Sequence, residues 1–155
     1  MPTIEVTIPQ GTLSEEQLEP LLQDLTRSLI KWEGVADPDD PQARATVLAS
    51  IYEVPDRRYA RDSESGASMR ALVQISIPQG VLTNERKRGL VDEVTRAILT
   101  AAEEPAHRRI YCLIHEIADG NWGSGGRILR LRDMVEALSL DPTSPRYKEL
   151  EDALR

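Results

Sequence analysis

Thr7-Ile8-Pro9-Gln10-Gly11-Thr12-Leu13-Ser14 and Ser76-Ile77-Pro78-Gln79-Gly80-Val81-Leu82-Thr83 are two versions of one octapeptide. They stand 69 residues apart, from Thr7 to Ser76. The same offset pairs Glu16 with Glu85, Leu21 with Leu90, and Thr26-Arg27 with Thr95-Arg96. A shared Pro-Gln-Gly followed by matched apolar positions marks an internal duplication.

Each copy reads β-α-β. Before the first octapeptide ends, Ile4, Val6 and Ile8 alternate with Thr3, Glu5 and Thr7, a period-2 strand with one apolar face. Pro9-Gln10-Gly11 ends it. Ser14 and Gln17 have capping-box spacing, and Leu13 with Leu18 can form the hydrophobic staple. Leu18, Leu21, Leu22, Leu25 and Leu29 then mark one helical face. Pro20 sits awkwardly inside this helix, where it removes a hydrogen bond. Ala45 to Val54 is nearly continuous apolar sequence, as a buried parallel strand requires. The second copy gives a strand over 71–77, a helix over 84–102 capped by Thr83, and a strand over 109–117. Leu90, Val91, Val94 and Ile98 supply the inner face of that helix. A glycine-rich turn from Gly120 to Gly126 and a helix from about Ile128 to Leu138 follow, then a tail with Pro142, Pro145 and a charged helical stretch.

The expected organisation is a first module over 1–56, a linker over 57–69, a second module over 70–127 and a helical tail over 128–155. Crossovers between parallel strands are right-handed almost always. Two copies therefore place both helices on one face of a four-stranded sheet, an α/β (α+β) fold. Val47, Leu48, Ala49 and Ile51 suggest central strands apolar on both sides, which a symmetric homo-oligomer would cover.

Composition narrows the function. The chain of 155 residues carries 19 basic and 26 acidic residues, a net charge of −7, which disfavours nucleic acid and anionic membrane as partners. No apolar run approaches the ~18 residues of a membrane span, and no secretory signal is visible. The reading is a soluble cytoplasmic protein. Cys112 has no second cysteine to pair with. His107 and His115 are the only histidines, so no metal site is indicated. His115 and Glu116 adjoin on a strand and face opposite sides. The glycine-rich turn lacks the Lys-Ser/Thr ending of a phosphate loop.

Pro2 follows the initiator methionine and leads directly into the first strand. Aminopeptidases generally remove Met before a small residue, leaving a free secondary amine on Pro2. An α-amino group titrates near ~7.7–8, and nearby cations or burial lower that value. A neutral prolyl nitrogen is then a usable general base.

These features together resemble the tautomerase superfamily: a proline after Met, a duplicated β-α-β unit and a glycine-rich hairpin. The second copy's Ile114-His115-Glu116-Ile117-Ala118-Asp119-Gly120-Asn121-Trp122-Gly123-Ser124-Gly125-Gly126 is similar to the hairpin stretch of the 4-oxalocrotonate tautomerase group. The duplication places the chain with the fused members, such as malonate semialdehyde decarboxylase, which assemble as trimers. The resemblance implies a homotrimer, no cofactor, a small carboxylate-containing substrate, and Pro2 as the catalytic base for keto-enol or double-bond isomerisation. It also exposes departures. The family's carboxylate-binding arginines fall at Thr12 and Leu48 in the first module, and at Val81 and Tyr111 in the second. Arg109 lies two residues before Tyr111, on the same strand face, and can replace the missing cation. Trp122 keeps the family's aromatic position. The expected substrate-binding residues are therefore Arg109, Trp122, Tyr111 and Arg127. Two other readings stay open: decarboxylase or hydratase/dehalogenase chemistry with Pro2 protonated as the acid, and a non-catalytic oligomeric protein.

Overall fold

The computed structural model describes residues 2–55, 70–104, 109–137 and 142–153. The expected linker over 57–69 lies outside the described residues, as does 105–108 with His107.

Alternation builds the sheet's centre. In β1 (Thr3–Pro9), Ile4, Val6 and Ile8 are buried, while Thr3, Glu5 and Thr7 are half-buried on the other side. In β3 (Ala71–Pro78), Ala71, Val73, Ile75 and Ile77 are buried in the same way. α1 (Glu15–Glu33) follows β1, and a loop holding the single-turn α2 (Pro41–Arg44) leads to β2 (Leu48–Val54). α3 (Asn84–Ala101) follows β3 and leads to β4 (Ile110–Ile117). β2 runs parallel to β1, β4 parallel to β3, and β1 antiparallel to β3. The strand order is β2-β1-β3-β4. α1 and α3 pack together, and their buried Leu21, Leu25, Leu29, Leu90, Val94 and Ile98 share one core with the strands. The fold is the mixed α+β architecture that the duplication implies.

The duplication is visible in detail. The Gly11 N–H donates to the Glu53 carboxylate at 3.0 Å, and the Gly80 N–H to the Glu116 carboxylate at 3.4 Å. The Gln17 side chain accepts the Ser14 N–H at 2.8 Å, and the Thr83 hydroxyl accepts the Arg86 N–H at 3.2 Å. α1 runs unbroken through Pro20, which is exposed near the helix start and forgoes one backbone bond. The short α2 was not legible in the sequence. Asp40 caps it through the Gln42 N–H at 2.9 Å, and Pro41 occupies the first helical position.

Two expectations are corrected. The apolar run from Ala45 to Val54 is not a central buried strand: β2 is an edge, with Leu48 60 % and Tyr52 52 % exposed. The opposite edge, β4, exposes Tyr111 and Leu113. The central strands carry Thr3, Glu5, Thr7, Gln74 and Ser76 on their open side, with Leu72 the one half-buried apolar residue among them, so the strongly exposed apolar side chains of this sheet belong to its edges. The second correction is the helix expected from Ile128. Residues 122–129 form a hairpin of β5 (Trp122–Ser124) and β6 (Arg127–Leu129), with Trp122 opposite Leu129. Gly125 and Gly126 take positive φ at its turn. The helix, α4 (Leu131–Ala137), starts where the Asp119 carboxylate accepts the Leu131 N–H at 2.8 Å. The tail's charged stretch is α5 (Pro145–Ala153).

The contact between α1 and α3 depends on one glycine. Trp32 lies across Gly89, and a Cβ there would overlap the indole ring. The ring is held in place: its Nε1–H donates to Glu93 at 2.9 Å, and Ser28 and Lys31 donate to the same carboxylate. Alanine would gain ~1 kcal/mol of helix propensity at this position, but overpacking costs ~1–3 kcal/mol. Gly89→Ala is therefore predicted to lose stability, by up to about 2 kcal/mol, in urea denaturation followed by tryptophan fluorescence. An unchanged or raised midpoint would contradict this packing.

Candidate active site at the amino-terminal end of the sheet

Strand register decides which candidate residues can meet. Thr3 lies opposite Ser76, and Pro78 lies beside Ile117. The start of β1 and the ends of β3 and β4 thus share one end of the sheet. Pro2 is buried there, and its carbonyl accepts the Leu48 N–H at 3.2 Å. The hairpin carrying Trp122 leaves β4 at the same end. Trp122 lines a cavity with Pro78, Ile117, Leu131 and Met134, of about 10 Å³, room for no more than one water. A shallow depression of about 450 Å³ on α3, lined by Lys87, Arg88, Val91, Asp92 and Thr95, contains none of the expected residues.

Arg109 and Tyr111 lie elsewhere. Tyr111 is opposite Leu72, which is opposite Thr7. That is five residues along β1 from Pro2, roughly 17 Å at the rise of a strand. Arg109 lies further out, where its carbonyl accepts the Ala71 N–H at 3.2 Å. Within one chain neither meets Pro2. Arg127 is exposed at the tip of the hairpin, opposite Ser124. Leu48, at a usual arginine position, is exposed beside Pro2. His115 and Glu116 face opposite sides as their adjacency requires: the Glu116 carboxylate takes Lys87 at 2.6 Å, and His115 is exposed. Among the described residues, no three His, Cys, Asp or Glu side chains group to hold a metal ion.

Two residues of this end escaped the sequence reading. Glu33, the last residue of α1, is 7 % exposed. It continues the i+4 series Leu25, Leu29 along the buried stripe, and a carboxylate on an apolar stripe is the signal that would have found it. Arg146, on α5, is also buried. Its Nε–H donates to the Glu33 carbonyl at 2.6 Å, its Nη2 to the Val81 carbonyl at 2.7 Å, and its Nη1 to Glu149 at 3.0 Å. Gly34 ends α1 in the left-handed region, and Arg146 packs so closely on it that a Cβ would stand 2.7 Å from Nε. Arg86 donates to the Trp32 carbonyl at 3.1 Å and pairs with Glu149. Two arginines thus satisfy the open carbonyls at the end of α1, where positive charge is favoured. Arg146 also places a guanidinium at Val81, one of the positions where an arginine was expected and is missing.

The electrostatics single out Glu33. Burial pushes its carboxyl up to about 7, against the opposing pull of the positive amino terminus and of Arg146. A helix carboxyl end is an unfavourable place for an anion. Glu93 is the contrast. Burial would raise it too, but its bonds from Lys31, Trp32 and Ser28 outweigh burial and hold it below the ordinary value. The Leu131 N–H, with help from Arg130, holds the exposed Asp119 carboxyl low.

Comparison with known proteins agrees with this architecture. Residues 72–132 match the family model described as tautomerase enzyme. No curated protein matches the chain in sequence. Among solved structures, native fused 4-OT is similar, at 21 % identity over 81 % of this chain and 94 % of that one, with a TM-score of 0.67. A fused 4-OT described as a wild-type symmetric trimer gives 21 % identity over 85 % and 96 %, with a TM-score of 0.66. Pt0534, described as inactivated by 2-oxo-3-pentynoate, gives 16 % identity over 85 % and 98 %, with a TM-score of 0.68. Part of the second module thus matches the tautomerase family model, and the duplicated fold is like that of fused 4-OT.

Glu33 gives the stability a definite pH dependence. Its carboxyl keeps its proton to about 7 in the folded chain, against 4.5 ordinarily. Below 4.5 both states are protonated and burial costs nothing. As pH rises through the window to 7, the unfolded state loses its proton first and stability falls, by up to about 3 kcal/mol. Glu33→Gln should remove this fall: the variant-minus-wild-type difference in unfolding free energy should rise from pH 4.5 to pH 7.5. A flat difference would mean the carboxyl titrates normally.

Proposed function

We propose that the protein is an isomerase of the tautomerase type, with the Pro2 nitrogen as general base toward a small keto or unsaturated acid. The observation that carries this reading is the placement of Pro2. It is buried at the head of β1, at the end of the sheet where the Trp122 hairpin of the family-matched module leaves β4. With Met1 removed, the nitrogen takes a proton from carbon or oxygen and returns it elsewhere in the conjugated system. A cation stabilises the charge that develops on oxygen, and Trp122 excludes water. No cofactor takes part.

The working unit in this reading is a homotrimer. Exposed Leu48, Tyr52, Tyr111 and Leu113 on both sheet edges support it, as do relatives described as trimers. Assembly also gives Arg109 and Tyr111 a role they cannot have alone: each meets the Pro2 of a neighbouring copy, where Arg109 takes the substrate carboxylate. Arg127 lies further out on the hairpin and guides the acid inward.

Three measurements test this reading together. Intact mass should show the chain without Met1. Light scattering after size exclusion should give about three chain masses. Pro2→Ala should keep that mass and lose about 10²- to 10⁴-fold in turnover of an enol such as phenylenolpyruvate, the usual contribution of a positioned general base. Full turnover in Pro2→Ala, or a folded monomer, would reject the reading.

A further inference from the structure

The far end of the sheet is an image of the end that holds Pro2. β1 meets β3 with Thr3 opposite Ser76 and Thr7 opposite Leu72, so the 69-residue offset of the duplication exchanges the two ends. Ala71 stands at the far end where Pro2 stands at its own. Tyr111 lies beside Leu72 as Leu48 lies beside Thr3. Ala71 has no free amine, because its nitrogen lies in a peptide bond and donates to the Arg109 carbonyl at 3.2 Å. The image end therefore lacks the base. It carries arginines instead.

Parallel register brings two of them together. Ala71 pairs with Ile110, and Arg70 and Arg109 are the residues immediately before these two. The bond from the Ala71 N–H to Arg109 continues the ladder across that step. Neighbouring strands stand about 4.8 Å apart, so two guanidinium groups on them can reach one small anion. Alternation sets their face. Ala71 is buried and Ile110 packs on the same core, so Arg70 and Arg109 share the open face with Leu72 and Tyr111. Both arginines are half-buried, and Tyr111 is exposed next to them. Like charges on neighbouring strands repel. A carboxylate offsets that repulsion, because its two oxygens can take an N–H from each guanidinium.

We propose that Arg70 and Arg109 form a two-arginine site for a small carboxylate, at the end of the sheet opposite the chain's own Pro2. The proposal rests on the isomerase reading for one point only, that the acid held there is a substrate. Binding itself requires neither Pro2 nor turnover. Arg70 sets the specificity: with two guanidinium groups side by side, a carboxylate is held by both oxygens and a neutral amide or alcohol of the same shape is not.

Benzoate is the probe, since it has no enol or alkene to isomerise, and benzamide is its neutral counterpart. NMR titration of the wild-type chain should show saturable benzoate binding, with the amide signals of Leu72 and Tyr111 shifting, and benzamide should leave them in place. Arg70→Met and Arg109→Met should each weaken binding about ten- to a hundredfold, the loss of one charged hydrogen bond. Arg70→Lys keeps the charge but not the planar fork and should fall between wild type and Arg70→Met. Equal affinity in wild type and Arg70→Met, even with Arg109→Met impaired, would overturn the paired site. Absence of benzoate binding to the wild type would overturn it too, and is the result expected if the chain's own carboxylates already satisfy both arginines. Neither failure touches the isomerase reading, which stands or falls on the turnover of Pro2→Ala.

Discussion

The antiparallel pairing of β1 with β3 decides where everything else goes. Each module alone is a strand, a helix and a parallel strand, and its helix covers only half a sheet. Placing Thr3 opposite Ser76 joins the halves and lets α1 and α3 close over Ile4, Val6, Ile8, Val73, Ile75 and Ile77. The same pairing turns the modules end for end. The head of the first strand then meets the tail of the third, so Pro2, the end of α1, the β3–α3 turn and the Trp122 hairpin gather at one end. Arg146 fastens that end through two backbone carbonyls from residues 33 and 81.

Much of this was legible, because it follows from period and repetition. Alternation at Ile4, Val6 and Ile8 fixed a strand and its buried face. The repeated Pro-Gln-Gly fixed the second module by the first, and Thr83 marked the start of α3. What was misread follows from one limit: an apolar run says that a strand needs cover, not that its own chain supplies it. The run from Ala45 to Val54 read as a buried strand, yet it forms an edge with Leu48 and Tyr52 exposed. Ile128 and Leu129 read as helix, since two apolar residues carry no period of their own, and the cross-strand partner Trp122 made them a strand.

The site divides the same way. Pro2 and Trp122 were found by position in a motif, and they lie at one end of the sheet. Arg109 and Tyr111 were chosen by counting along a strand, which gives the face but not the end. Register places them roughly 17 Å or more from their own Pro2. Glu33 and Arg146 belong to no motif. They stand 113 residues apart and meet because α5 packs on the end of α1. The carboxylate's interruption of the Leu25–Leu29 stripe was the one trace of them in the sequence.

The central claim is that the Pro2 nitrogen is the reactive group of this chain. An acetylenic keto acid such as 2-oxo-3-pentynoate tests it directly, because a neutral amine adds across its triple bond. The new bond joins nitrogen to carbon, the amine proton passes to the neighbouring carbon, and the chain gains the whole mass of the reagent. Peptide mapping by mass spectrometry should place one such addition per chain on Pro2, with activity lost in step with labelling. Label on Cys112 or a lysine with Pro2 unmodified, or loss of activity without label on Pro2, would contradict the account.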